Sequence, residues 1–73
     1  MREFVFRMSV SFDEFKPFYQ GIAENVQVTD INGLVLRING RHFRQFLTAS
    51  GIHGTFKLLI DDQGRFQSLN LIR

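Results

Sequence analysis

The chain has 73 residues and a net charge of +2, from nine lysines and arginines against seven aspartates and glutamates. It has nine phenylalanines but no cysteine, which excludes disulfide bridges and thiolate metal sites. A charge this small does not by itself indicate nucleic-acid binding. No apolar run approaches the ~20 residues of a membrane span, and the start lacks the apolar core of a signal peptide. We therefore expect one cytoplasmic, soluble domain over residues 1–73, with a small core built from phenylalanine.

The N-terminal segment predicts a strand followed by a short helix. Apolar residues alternate from Phe4 to Val10, and a period of two is typical of a strand with one buried face. Ser11 and Glu14 have the spacing of a capping box, in which each side chain bonds the other residue's backbone N–H. We expect a helix over 12–20, kinked or partly 3₁₀ near Pro17, because proline removes a helical hydrogen bond.

The segment 24–38 predicts a first hairpin whose turn allows two registers. A two-residue type I′ turn at 32–33 would mix apolar and polar side chains on both faces of the hairpin. A three-residue loop with Gly33 in the left-handed conformation would instead place Val28 opposite Leu36. The second register is favoured because it gathers the apolar side chains on one face.

A second short helix is expected over 41–48. Asn39 or Gly40 can cap its start, and Gly51 is expected to end it. Its phenylalanines and Leu47 lie on one side, so that side should face the core.

The last hairpin turns after Asp61, whose carboxylate can bond the turn backbone, while Gly64 takes the left-handed position. This loop places Ile60 opposite Phe66. Beyond that pair the apolar residues occupy the alternate positions of the strand, so they would point to the opposite face from Phe66. Either a bulge near 67–68 or a strand that bends from one sheet layer to another would account for the change.

The predicted order is strand, helix, strand, strand, helix, strand, strand. Five short strands with two short helices indicate an α+β domain, mostly β, in which a small antiparallel sheet curls into a partly open barrel. An open sheet with both helices on one face is the alternative.

The chain resembles, over nearly its whole length, a family of short uncharacterised bacterial proteins, mainly gammaproteobacterial, known as a domain of unknown function. The most specific motif is Gly51-Ile52-x-Gly54-x-Phe56. The resemblance also includes the opening strand, the turns at 32–33 and 61–64, and the segments Phe18-Tyr19-Gln20-Gly21 and Phe43-Arg44-Gln45-Phe46-Leu47-Thr48. It implies bacterial origin and a standalone domain, and it supplies no activity, substrate or catalytic residue.

A basic segment occupies the region 37–57, because no acidic residue lies between Asp30 and Asp61. Arginine presents a fork of donors that matches phosphate oxygens. These residues are the candidates for binding an anionic ligand, such as RNA or a nucleotide: Arg37, Arg41, Arg44, His53 and Lys57. The competing interpretation is an ordinary solvated surface, since the charges are not dense.

The sequence shows no nucleophile–base pair with a third residue to orient it, and no glycine-rich phosphate loop. We expect no enzymatic activity, no cofactor and no metal site. Val5, Val35 and Leu59 exceed what one inner sheet face needs, and could form either an outward apolar patch or a second small core under a helix. A non-catalytic module that binds an unidentified protein, or a second copy of itself as a homodimer, is therefore the leading hypothesis, without membrane contact.

Overall fold

The computed structural model describes all residues, 1–73. Five strands and two short helices follow one another in the predicted order. They are β1 (Arg2–Val10), α1 (Phe12–Tyr19), β2 (Asn25–Thr29), β3 (Val35–Asn39), a 3₁₀ helix (Gly40–Phe46), β4 (Ile52–Ile60) and β5 (Phe66–Leu71).

The strands form two antiparallel sheets rather than a closed barrel. One sheet has three strands in the order β1-β4-β5, and the other consists of β2 and β3. A single bridge between Phe6 and Asp30 connects the two sheets, and the Ile31 N–H donates to the Val5 carbonyl at 2.9 Å beside it. The predicted class, α+β and mostly β, is confirmed.

Helix α1 begins with the predicted capping box. The Ser11 hydroxyl accepts from the Glu14 N–H at 3.1 Å, and the Glu14 carboxylate accepts from the Ser11 N–H at 2.9 Å. The hydrogen bond from the Ser11 N–H, and secondarily the Ser11 hydroxyl, hold the pKa of the Glu14 carboxyl below its ordinary value. The helix is α-helical throughout, so the 3₁₀ segment expected near Pro17 is absent. Proline is accommodated because its missing N–H would have bonded the carbonyl of Asp13, an exposed residue that water can reach.

The second helix differs from the prediction. It is a 3₁₀ helix that starts one residue early and ends at Phe46. Asn39 caps it, because its side-chain oxygen accepts from the Arg41 N–H at 3.0 Å. Gly51 does not end this helix but leads into β4. A Cβ there would lie 2.0 Å from the Val10 carbonyl oxygen, so only glycine allows this close approach of two backbones.

The first hairpin has the register favoured above. Val28 pairs with Leu36, and the three-residue loop ends at Gly33, which has a φ of +85°. Asp30 fixes the turn, because its Oδ1 accepts from the backbone N–H of Asn32 at 2.9 Å and of Leu34 at 2.7 Å.

The second hairpin uses the same turn and contains a bulge, which is one of the two alternatives given above. Ile60 pairs with Phe66 but Leu59 pairs with Ser68, so Gln67 is the extra residue. The bulge returns Leu69 to the inner face, where it is buried. A bend between sheet layers is therefore not needed to explain the change of phase.

The core lies between the inner face of the three-stranded sheet and the elements packed on it. Its centre is a group of phenylalanine rings, in which Phe56 lies 5.7 Å from Phe6, 5.9 Å from Phe43 and 5.1 Å from Phe46 between centroids. Edge-to-face and offset ring pairs stabilise such a core beyond the area that they bury. Apolar residues of both sheets complete it, including Val26, Val28 and Ile38 from the first hairpin.

Candidate functional site

The tip of the first hairpin exposes large aliphatic side chains. Ile31 is 70% exposed, Val35 is 54% exposed and Leu34 is 45% exposed. Val5 adjoins them, because its carbonyl accepts from the Ile31 N–H. We refer to Val5, Ile31, Leu34 and Val35 as the tip patch. Turns usually expose polar residues, so adjacent exposed aliphatic residues are unusual at this position.

The three residues predicted as an interface are divided between the two sheets. Val5 and Leu59 lie on the outer face of the three-stranded sheet, since Val5 pairs with Lys57 and Leu59 follows Lys57 by two positions. Both are partly buried by their neighbours. Val35 lies on the outer face of β3, opposite Thr29. The structure therefore places Val5 and Val35 at the tip patch and Leu59 further along the sheet.

Several residues of the basic segment make contacts within the chain. The Arg44 guanidinium donates to the Tyr19 carbonyl at 3.1 Å and lies 5.5 Å from the centroid of the Tyr19 ring. Lys57 forms an ion pair with Glu3 at 3.3 Å on the outer sheet face. These cations lie on different elements, and each has a protein group near its charge.

His53 forms a pair that the sequence did not reveal. Its Nδ1 lies 2.9 Å from Ser9 Oγ, and its Nε2 lies 2.8 Å from the Ser50 carbonyl oxygen. A carbonyl only accepts, so Nε2 carries a hydrogen and donates, and in the neutral tautomer Nδ1 accepts from the serine hydroxyl. Ser9 and His53 are direct cross-strand partners on the exposed outer face. Their contact is explained by sheet pairing, in a site open to water.

A cleft separates β3 from the second hairpin, and we call it the seam cleft. It is lined by Arg37, Ile38, His42, Leu58, Ile60 and Phe66, among others, and has a volume of about 190 Å³. The His42 and Phe66 rings stack at its wall, 3.6 Å apart and nearly parallel. Arg37 forms no ion pair with any acidic residue of the chain. The seam cleft therefore combines an apolar floor with one unpaired cation.

The stacked position affects the protonation of His42. Partial burial, and secondarily the charge of Arg41, lower the pKa of the His42 imidazole from its ordinary value of 6.5. The neutral ring is thus favoured at neutral pH, which suits stacking against Phe66. The sequence did not reveal this contact, because Phe66 is distant along the chain from His42.

Two other features bear on function. No group of three or more histidine, aspartate or glutamate side chains is arranged to hold a metal ion. Neither helix is long and apolar enough to cross a membrane.

The fold and these surfaces define a small, mostly β α+β domain with an apolar tip and a charged cleft, rather than a domain built around a deep pocket. The family described as "Protein of unknown function (DUF2835)" matches residues 2–72. The chain therefore belongs to this family, as the resemblance in its sequence indicates. No curated protein and no solved structure matches the chain.

Proposed function

We propose that the domain is a non-catalytic binding module that acts through protein–protein contact at the tip patch. The observation that carries this proposal is the exposure of Ile31, Leu34 and Val35 within one hairpin tip. Transfer of apolar area from water stabilises an interface by roughly 25 cal/mol per Å². An exposed aliphatic cluster is therefore most readily explained by a partner that covers it, either another protein or a second copy of this chain.

The absence of catalysis forms part of the proposal. The Ser9–His53 pair is the one hydroxyl–imidazole contact, and both residues are exposed on a sheet face. A nucleophile needs a site that orients substrate and excludes water. The position of the pair on an open sheet face supports a structural role, and a cytoplasmic location fits this proposal.

Binding of RNA or a nucleotide by the basic segment is the second candidate. The charges of Arg44 and Lys57 already interact with neighbouring groups of the chain, which weakens this second candidate. Arg37 and Arg41 form no ion pair, so they remain available to bind a phosphate group. Phosphate binding would weaken steeply with salt, because bound cations would be released from the nucleic acid.

The test is sedimentation velocity over a range of protein concentrations, together with affinity capture from lysate with and without nuclease. We expect association that persists at high salt and is lost in the double variant Ile31→Asp, Val35→Asp. Ile22→Asp is the matched control, because Ile22 is 79% exposed but lies outside the tip patch.

Two outcomes would contradict the proposal. Nucleic acid recovered only at low salt, and lost in the double variant Arg41→Ala, Arg44→Ala, would favour the second candidate. An equal loss of association in the Ile22→Asp control would show that the tip patch has no special role.

A further inference from the structure

The outer edge of β3 carries unpaired backbone groups. Asp30 N–H donates to the Leu34 carbonyl at 2.8 Å, and Gly40 N–H donates to the Glu24 carbonyl at 2.7 Å. In an antiparallel pair, alternate residues direct their N–H and C=O groups to the partner strand. The even-numbered residues of β3 therefore bond to β2, while the backbone groups of Val35 and Arg37 point away from it. No strand lies on that side.

The seam cleft lies beside this free edge. Its inner lining is apolar, with Ile38 from β3, and Leu58, Ile60 and Phe66 from the second hairpin. The cleft volume of about 190 Å³ is below the 300–1,000 Å³ of typical small-molecule sites. It is suited to one apolar side chain rather than to a whole ligand.

The charge of the cleft is also unbalanced. Arg37 lines it and forms no ion pair, and no aspartate or glutamate lines it. A carboxylate placed opposite Arg37 would form a charge-assisted hydrogen bond. A ligand that contacts this edge should therefore carry both an apolar side chain and a negative charge.

From these features we infer that the β3 edge and the seam cleft bind an extended acidic peptide, which adds as a strand beside β3. Residues of the added strand that face Arg37 would lie on the outer face, and their neighbours would point inward to the cleft. The peptide should therefore alternate acidic and apolar residues. This inference rests on the proposed protein-binding function and names the chemistry of one partner.

A second copy of the chain is a poorer occupant of this edge. Antiparallel pairing of two β3 strands centred on Arg37 would place the two guanidinium groups directly opposite each other. Like charges in that position destabilise a strand pair. The charge on β3 thus favours an acidic partner over the chain itself.

The test uses a fluorescently labelled heptapeptide of alternating valine and aspartate, blocked at both ends, with the intact protein. Fluorescence anisotropy should show saturable binding, and the amide NMR signals of Val35 and Arg37 should shift. N-methylation along the bonding edge of the peptide should abolish binding, because it removes the donors of the strand pair. Arg37→Glu should weaken binding by roughly tenfold or more and should favour a peptide with lysine in place of aspartate.

Arg7→Glu is the matched control, because Arg7 is also an exposed strand arginine without an ion pair. It should leave peptide binding unchanged. Shifts confined to Leu69 and Leu71 would place the peptide on β5 and overturn the inference, as would no binding at millimolar peptide. Association that is lost with the tip patch variants but unaffected by Arg37→Glu would retain the proposed function and reject this site.

Discussion

The first hairpin (β2–β3) and the second hairpin (β4–β5) turn in the same way but differ in what their strands contact. Asp30 and Asp61 each accept two backbone hydrogen bonds at a three-residue loop, and Gly33 and Gly64 both have positive φ. Strand β4 is the central strand of its sheet, whereas β3 has one neighbour.

The tips of the two hairpins also differ in the side chains that they carry. The first tip exposes Ile31 and Leu34, whereas the second carries Asp62, Gln63 and Arg65. A turn sets the register of its strands but does not determine whether they form core or surface. The comparison therefore supports the proposal that binding takes place at the first hairpin, while the second hairpin supports the core.

The largest effect is expected where the second hairpin forms the core. Phe56→Ala should lower the free energy of unfolding by about 3–5 kcal/mol, because the ring is fully buried among other phenylalanines. The same change at Phe66, which is 37% exposed, should cost much less. Urea denaturation measures both. Similar losses of unfolding free energy at Phe56 and Phe66 would contradict the placement of Phe56 at the centre of the core. Phe56→Leu is the milder variant to measure if Phe56→Ala does not fold.

A smaller effect should separate the two turn aspartates. Asp30 is 7% exposed, so Asp30→Ala leaves two backbone N–H groups without their acceptor in a shielded site, at about 1–3 kcal/mol. Asp61→Ala should lower the free energy of unfolding by less, since water reaches the backbone N–H groups that Asp61 bonds. Asp30→Asn is the control that retains an acceptor oxygen. Equal denaturation midpoints for the two alanine variants would show that burial of the turn does not affect stability.

The turn glycines should instead behave alike. Gly33 and Gly64 have φ values of +85° and +81°, and a Cβ at either position would meet no atom within 4 Å. Gly33→Ala and Gly64→Ala should therefore each cost about 1–2 kcal/mol, from backbone conformation alone. Thermal unfolding of both variants tests this equality. A markedly larger loss at one glycine would mean that the two turns are not equivalent.

The smallest effect concerns pH and the contact between the 3₁₀ helix and the second hairpin. Because the pKa of His42 is lowered in the folded protein, the unfolded chain binds more protons below about pH 6.5. Stability should therefore fall as the pH drops from 6.5 to the lowered pKa and should not depend on this group above 6.5.

Unfolding midpoints measured from pH 8 to pH 5 test this prediction. His42→Gln should remove this part of the pH dependence, whereas Arg41→Gln should reduce it, because the charge of Arg41 is the lesser cause. An unchanged pH profile in His42→Gln would assign the dependence to other groups.

Local chemistry made much of the fold predictable from the sequence. The change of phase near Gln67 allowed either a bulge or a bend, whereas the capping box at Ser11 and both three-residue loops depend on residues a few positions apart. Their spacing encodes a hydrogen bond or a side-chain face, so the sequence carries the signal directly.

The rest depends on contacts between distant segments. Whether the second helix is α or 3₁₀ depends on how its phenylalanines reach the core, and packing overrides local preference there. The Ser9–His53 pair and the His42–Phe66 stack bring together residues from separate elements. Arg37 was recognised as a candidate anion site, but the apolar cleft beside it required the relative placement of β3 and β5.

The pairing of β1 with β4 also has a consequence for how the chain folds. Phe6 pairs with Phe56, so β1 must wait for a strand that is synthesised much later. Pairing at such long sequence separation raises the contact order and slows folding relative to helical domains of the same size. During that delay the apolar face of β1, with Phe4, Phe6 and Met8, has no partner strand. This interval, rather than the folded state, is when the apolar face of β1 is most exposed to aggregation.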